Sequence, residues 1–374
     1  MILVILLYGT CIAGYNLIVE GDVVAMTYND MTHFRERTQT IIDGGLLYCD
    51  VHTETPPIIN YLLVPAQLLG GDSYDVVYSA YFAFFIFLGA CLLYLGLRKW
   101  GEREAFLSGL LLILYPGAIV ETCFYGADEA IIVLLLLMPA VLILHGQRDW
   151  GVVSIAVGIW TKMFPLLLYP LVFLGADRRA RGRHIAIILA VTVAITGPFL
   201  LLCPEEFSWF LEFYFLGQES KGIEGLSIWH FLEQGGYGMP RLLMMSMTVI
   251  GLGAAYLYVH RSGRSFWEGT IVVLVAFFVF YNKIHPSYYI FPAAFLTVYA
   301  IADRRVTLRF FLLYVPVRLS TAFRNYDDEW TYFDPSWNWV IGIGLAVIVA
   351  IILADMARIA LRNGAFIDRA TVQG

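Results

Sequence analysis

The chain has 374 residues, of which 59% are hydrophobic and only 14% charged, with a mean hydropathy of +0.72. A water-soluble domain carries about 25% charged residues, so this balance excludes an ordinary soluble enzyme and makes lipid the main solvent. The net charge of −6 excludes a nucleic-acid binder driven by phosphate neutralisation.

A helical crossing needs about 20 mostly apolar residues. In chain order, crossing runs are predicted over 2–19, 74–97, 105–124, 129–144, 184–203, 242–259, 266–281, 288–301, 308–321 and 337–354. The first has no basic segment before it and no small-residue cleavage pattern after it, so it reads as a retained helix rather than a signal peptide. Residues 56–70 are apolar but short, and read as an amphipathic helix lying along the interface. Residues 151–175 are flanked by Arg on both sides, which a single crossing would put on opposite faces. Pro165 in TKMFP disfavours helix for the residue before it. Two half-helices that enter and return are therefore expected, with Lys162 near the turn. Such a break needs a protein-lined or watery cavity, and a lysine there is a functional candidate.

The expected architecture is an all-α polytopic membrane protein with ten crossing helices plus the broken pair. It forms a single domain over 1–354 with a tail over 355–374. Sixteen of the 24 Lys and Arg residues fall in one alternating set of connections and in the tail: Arg98, Lys99, Arg103, Arg148, Arg178, Arg179, Arg181, Arg183, Arg261, Arg264, Arg304, Arg305, Arg309, Arg358, Arg362 and Arg369. Lys and Arg excess marks the cytoplasmic side, so this set and both termini are expected there. The acidic, aromatic connections over 20–73, 204–240 and 322–336 are then outside. Five cysteines (Cys11, Cys49, Cys91, Cys123, Cys203) show no CxxC or metal spacing and read as small apolar packing residues.

The first outer loop is the richest in chemistry. Between Glu20 and Leu63 it holds seven carboxylates (Glu20, Asp22, Asp30, Glu36, Asp43, Asp50, Glu54) against Arg35 and Arg37. A mere connector needs no such length. A carboxylate at a membrane surface can take a proton from a hydroxyl, and Asp30 is the leading candidate. Asp50 and Glu54 stand four apart in a turn-rich stretch. Asp30, His33, Asp50, His52 and Glu54 include types that bind a divalent metal. Glu121, Asp128 and Glu129 sit at helix ends, where helix capping is the competing role. The chain has four lysines, and Lys162, Lys221 and Lys283 lie outside the basic connections, which suits an anionic partner such as a lipid phosphate. Pairing with Glu219 or Glu224 is the other role open to Lys221. His285 and Tyr288 join Lys283 as a wall suited to a phosphosugar. Phe207 to Leu216 reads as an interfacial helix.

Asp30, then Gly44 to Tyr48 with Asp50, then Glu54-x-Pro56-Pro57 running into Asn60-Tyr61-Leu62, resembles the first loop of the integral-membrane glycosyltransferases of the C-type fold. Tyr115-Pro116 through Gly126-x-Asp128 and Lys162-x-Phe164-Pro165-Leu166 resembles the polyprenol-phosphate-mannose-dependent members. So do Lys221-Gly222-Ile223-Glu224-x-x-Ser227 and Lys283-x-His285-Pro286-x-Tyr288. Asn29-Asp30 stands where many relatives carry Asp-x-Asp, and Ala127 where others carry Gln. The resemblance implies transfer of a sugar, mannose favoured, from a polyprenyl-phosphate donor to a lipid, glycan or protein acceptor outside the membrane. It implies inversion, with Asp30 as general base and Lys221, Lys162 and Lys283 on the donor phosphate. Asp50, Glu54, Asp128, Glu129, Glu224, His285 and Tyr288 are then expected around the sugar or acceptor. A secondary transporter or flippase shares the broken helix and its lysine, and a noncatalytic scaffold remains a third reading.

Overall fold

A computed structural model describes residues 2–20, 30–70, 74–215, 224–321, 323 and 335–367. In chain order the helices are α1 (Ile2–Glu20), α2 (Met31–Ile42), α3 (Pro57–Gly70), α4 (Tyr74–Leu97), α5 (Glu102–Leu114), α6 (Pro116–Cys123), α7 (Glu129–Leu144), α8 (Arg148–Ile159) and α9 (Tyr169–Leu174). Then follow α10 (Arg178–Leu202), α11 (Pro204–Phe215), α12 (Ile228–Gln234), α13 (Arg241–Ser262), α14 (Phe266–Phe280), α15 (Ile290–Ala300), α16 (Arg304–Leu312), α17 (Tyr314–Thr321) and α18 (Pro335–Asn363). Two-residue strands β1 (Glu224–Gly225) and β2 (Lys283–Ile284) pair in parallel. The chain forms two compact units, residues 1–90 with 118–220 and residues 91–117 with 221–374; two of the three boundaries fall within α4 and α6.

The all-helical expectation holds, but ten crossing helices are not matched. Four helices are long and apolar enough to cross: Val76–Leu97, Arg178–Leu202, Arg241–Ser262 and Ser336–Asn363. A fifth arises if Glu102–Leu114 and Pro116–Cys123, bent by 46°, count as one span. The bend has a local cause, because Pro116 has no N–H and holds Tyr115 extended at ψ 123°. The expected crossing at 308–321 is divided between α16 and α17, and α7 and α14 are 16 and 15 residues long. Helix α3 has 14 residues, about 21 Å at 1.5 Å per residue, which is short of a hydrocarbon core of about 30 Å.

The break at 160–163 lies where it was expected. Helix α8 ends at Ile159, a 3₁₀ turn covers Phe164–Leu168, and α9 completes the return. Close packing makes the turn, since a Cβ on Gly158 would sit 2.7 Å from Pro165 Cγ. The pair comes back to the end it started from: Arg148 Nη1, at the start of α8, is 3.5 Å from the carbonyl of Gly175, just past α9. The same end is fastened to α10, where Arg183 Nε donates to Asp149 Oδ1 at 3.0 Å and the Asp177 carboxylate caps the helix by accepting from Ala180 N–H.

The reading of all five cysteines as packing residues is wrong for two of them. Cys49 and Cys203 form a disulfide with Cα atoms 5.5 Å apart across 154 residues of sequence. It fastens the first loop to the junction of α10 and α11. Tyr48 beside it is buried and packs edge-on against Phe199 and Phe207. Its φ of 75° is costly for a bulky side chain and is held there by that packing.

Candidate active site

Helix α2 starts at Asp30, whose side chain is exposed and makes no cap hydrogen bond. The next residue, Met31, is fully buried. Its Cε occupies the space that a Cβ on Gly126 would take, and Gly126 has a φ of 56°. Only glycine fits there without strain. Two residues beyond Gly126 lies Asp128, at the start of α7. The Met31–Gly126 contact therefore sets the beginning of α2 against the beginning of α7.

Asp128 and Glu129 converge on Lys162 at the tip of the broken pair. Lys162 Nζ lies 2.6 Å from Asp128 Oδ1 and 2.5 Å from Glu129 Oε1. Side-chain exposure is 16% for the lysine and 7% for each acid. Asp128 makes no cap hydrogen bond, so capping is not its role. The α7 macrodipole favours both carboxylates at this end. The tip is also tied to the first loop, as Ile58 N–H donates to the Trp160 carbonyl at 3.0 Å. Of the residues expected on a donor phosphate, Lys162 is thus already held by two anions.

A further cation lies within electrostatic reach of these groups. Arg37 is only 9% exposed and shares the inner face of α2 with Met31, Phe34 and Thr38. Its Nη1 donates to Thr55 Oγ1 at 3.3 Å, and that oxygen also accepts from Asn60 Nδ2 at 3.0 Å. Burial pushes the guanidinium pKa down, while the carboxylates of Glu54, Asp30, Asp128 and Glu36, in that order, push it back up. Asp30, Glu54 and Asp128 therefore share one electrostatic neighbourhood around Arg37. The signal was present in the helical spacing of Met31, Phe34 and Arg37, which puts the arginine on the apolar side.

Other first-loop candidates have structural partners. Asp50 Oδ2 accepts from Leu46 N–H at 2.6 Å and closes a turn. Asp43 accepts from Gln39 Nε2 at 2.9 Å. The His52 ring lies 3.9 Å from that of Trp209 on α11, the helix expected near 207–216. Among the described residues no three His, Cys, Asp or Glu side chains gather so as to hold a metal ion. The proposed donor set of Asp30, His33, Asp50, His52 and Glu54 does not fit one.

In the second unit, β1 and β2 register Glu224 opposite Lys283 and Gly225 opposite Ile284. Gly225 has a φ of 85°, and a Cβ there would overlap the Ile284 backbone. Ser227 Oγ donates to the Asn282 carbonyl at 2.8 Å and fastens the same two segments. His285 opens the 3₁₀ turn Pro286–Tyr289, with its ring 5.1 Å from that of Tyr288. Lys221 lies outside the described residues.

No curated protein matches the chain. Residues 55–280, more than half of the chain, match glycosyltransferase family 87. The matched stretch contains Asp128, Glu129, Lys162, Lys221 and Glu224, while Asp30, Asp50, Glu54, Lys283, His285 and Tyr288 lie outside it. Long apolar helices, a helical pair that folds back on itself and a charged cluster at its tip accord with that match: the chain belongs to glycosyltransferase family 87, a family of integral-membrane glycosyltransferases of the C-type fold.

Proposed function

We propose that the chain moves a sugar, with mannose favoured, from a polyprenyl-phosphate donor to a hydroxyl of a lipid, glycan or protein acceptor, with inversion. The observation that carries this reading is Asp30, an exposed carboxylate that caps nothing, in a family of sugar transferases. The acceptor oxygen attacks the anomeric carbon as its proton passes to Asp30. The bond from that carbon to the phosphate oxygen breaks, and its electron pair stays on the phosphate. Such a reaction asks for positioning and charge neutralisation more than for covalent help. The Cys49–Cys203 disulfide supports an extracytoplasmic site, since disulfides persist in oxidising compartments. Both termini are then cytoplasmic. Lys221, Lys283, His285, Tyr288 and Glu224 carry chemistry suited to a phosphosugar, and alanine at each position tests it.

The experiment is transfer from labelled polyprenyl-phosphate sugars by the full chain in lipid nanodiscs, with a panel of acceptors. Asp30→Asn is expected to abolish transfer while the protein still assembles. Full transfer by that variant sinks the base assignment. Substrate-dependent flux without transfer would favour a transporter instead.

A further inference from the structure

The first unit holds two cations beside its carboxylates, in opposite states. Lys162 has an anion on each side within 2.6 Å. Arg37 is nine-tenths buried, yet among the described residues its guanidinium makes a single hydrogen bond, at 3.3 Å, and no ion pair within 4 Å. A guanidinium has five N–H donors in a planar fork, so four have no hydrogen-bond partner among the described residues. A ligand oxyanion is the group that fills such a fork.

We propose that Arg37 binds the phosphoryl oxyanion of the donor lipid and holds the departing phosphate; this rests on the glycosyl-transfer reading above. The spacing suits it. Asp30 and Arg37 are seven residues apart, two turns along one face of α2, about 10.5 Å at 1.5 Å per residue. Inversion puts base and leaving group on opposite sides of a sugar ring, and paired carboxylates of inverting sugar hydrolases stand about 6.5–9.5 Å apart. The rise of about 10.5 Å between positions 30 and 37 is of that order. Thr55, itself fixed by Asn60, anchors one arm of the guanidinium and leaves the other for phosphate. As the bond from the anomeric carbon to the phosphate oxygen breaks, the electron pair moves onto the oxygen that Arg37 faces, and the acceptor proton goes to Asp30. Lys162, with both neighbouring carboxylates engaged, holds the helix ends together instead.

The test measures binding to the full chain in nanodiscs, using polyprenyl phosphate, polyprenol without phosphate, and inorganic phosphate. The wild type is expected to bind polyprenyl phosphate more tightly than polyprenol. Arg37→Met should erase that difference with a loss of about tenfold or more, and leave polyprenol binding unchanged. Arg37→Lys should keep part of the preference, and Thr55→Val should lose about threefold. Inorganic phosphate should compete only where Arg37 is present. An assembled Arg37→Met that binds polyprenyl phosphate like the wild type overturns the proposal. If Arg37→Met does not assemble, wild-type affinity in both Arg37→Lys and Thr55→Val overturns it. Phosphate-dependent binding that Asp30→Asn preserves and Arg37→Met loses upholds the anion site even where Asp30 proves not to be the base.

Discussion

Met31 Cε lies in the space that any side chain at position 126 would need. Because Asp30 precedes Met31 and Asp128 follows Gly126 by two residues, this one contact aligns two charged helix starts. Gly126→Ala should cost about 1–3 kcal/mol from its φ alone, with more from the overlap. Transfer should fall with it. Met31→Ala added to Gly126→Ala relieves the overlap, so the pair should be less harmful than the sum of the single changes. Thermal midpoints and transfer rates of the four proteins check this; strict additivity would contradict it.

Lys162 is expected to matter for stability before it matters for the donor. Lys162→Met leaves Asp128 and Glu129 side by side without the ammonium that joins them, and breaking a buried pair costs about 3–5 kcal/mol. Adding Glu129→Gln removes one of the stranded charges and should restore part of the loss. Thermal unfolding in detergent reads both effects. A Lys162→Met protein as stable as the wild type would show that the triad carries little weight.

The disulfide gives a reducible handle on the first loop. Cys49→Ser, Cys203→Ser and the double variant should lose the same stability, about 2–4 kcal/mol, because each removes the same bond. Mild reduction of the wild type should match them, with Tyr48 released from its packed position. Near-ultraviolet circular dichroism and thermal melts follow the change. A double variant that loses twice as much as either single one argues against the pairing.

Among the described glycines of the second unit, Gly225 leaves the least room for a side chain. Gly225→Ala drives a methyl group into the Ile284 backbone at a φ of 85°, so the pairing of Glu224 with Lys283 should open. Faster amide exchange over 283–285 and reduced transfer are the expected readouts, while Gly236→Ala, with open space around it, serves as the strain control. Unchanged exchange in Gly225→Ala would show that the strand pair tolerates the side chain.

Local chemistry was readable before the fold was known. The helix ending before TKMFP, the short α3 and the helix α11 all follow from proline placement and apolar length. The number of long apolar helices among the described residues falls short of the ten expected crossings, because short apolar runs look alike whether they cross or pack inside; α15, for instance, is buried along its whole length yet spans only 11 residues. The site's partners were harder still. Lys162 meets acids 33 and 34 positions away, and Cys49 meets a residue 154 positions away. Such pairings leave no periodic trace. Two hints did exist: Cys49 is the cysteine in a polar loop, and Arg37 interrupts the apolar face of α2.

The wide spacing of the two cysteines also sets a schedule for synthesis. Cys49 emerges long before Cys203, and at about 5–20 residues per second the delay is roughly eight to thirty seconds. During that interval α3 to α10 are made and inserted while the first loop stays chemically open. The first loop is thus locked only after the turn at 160–163, which its Ile58 contacts, has been laid down, and a truncated chain ending before Cys203 has no means of closing it.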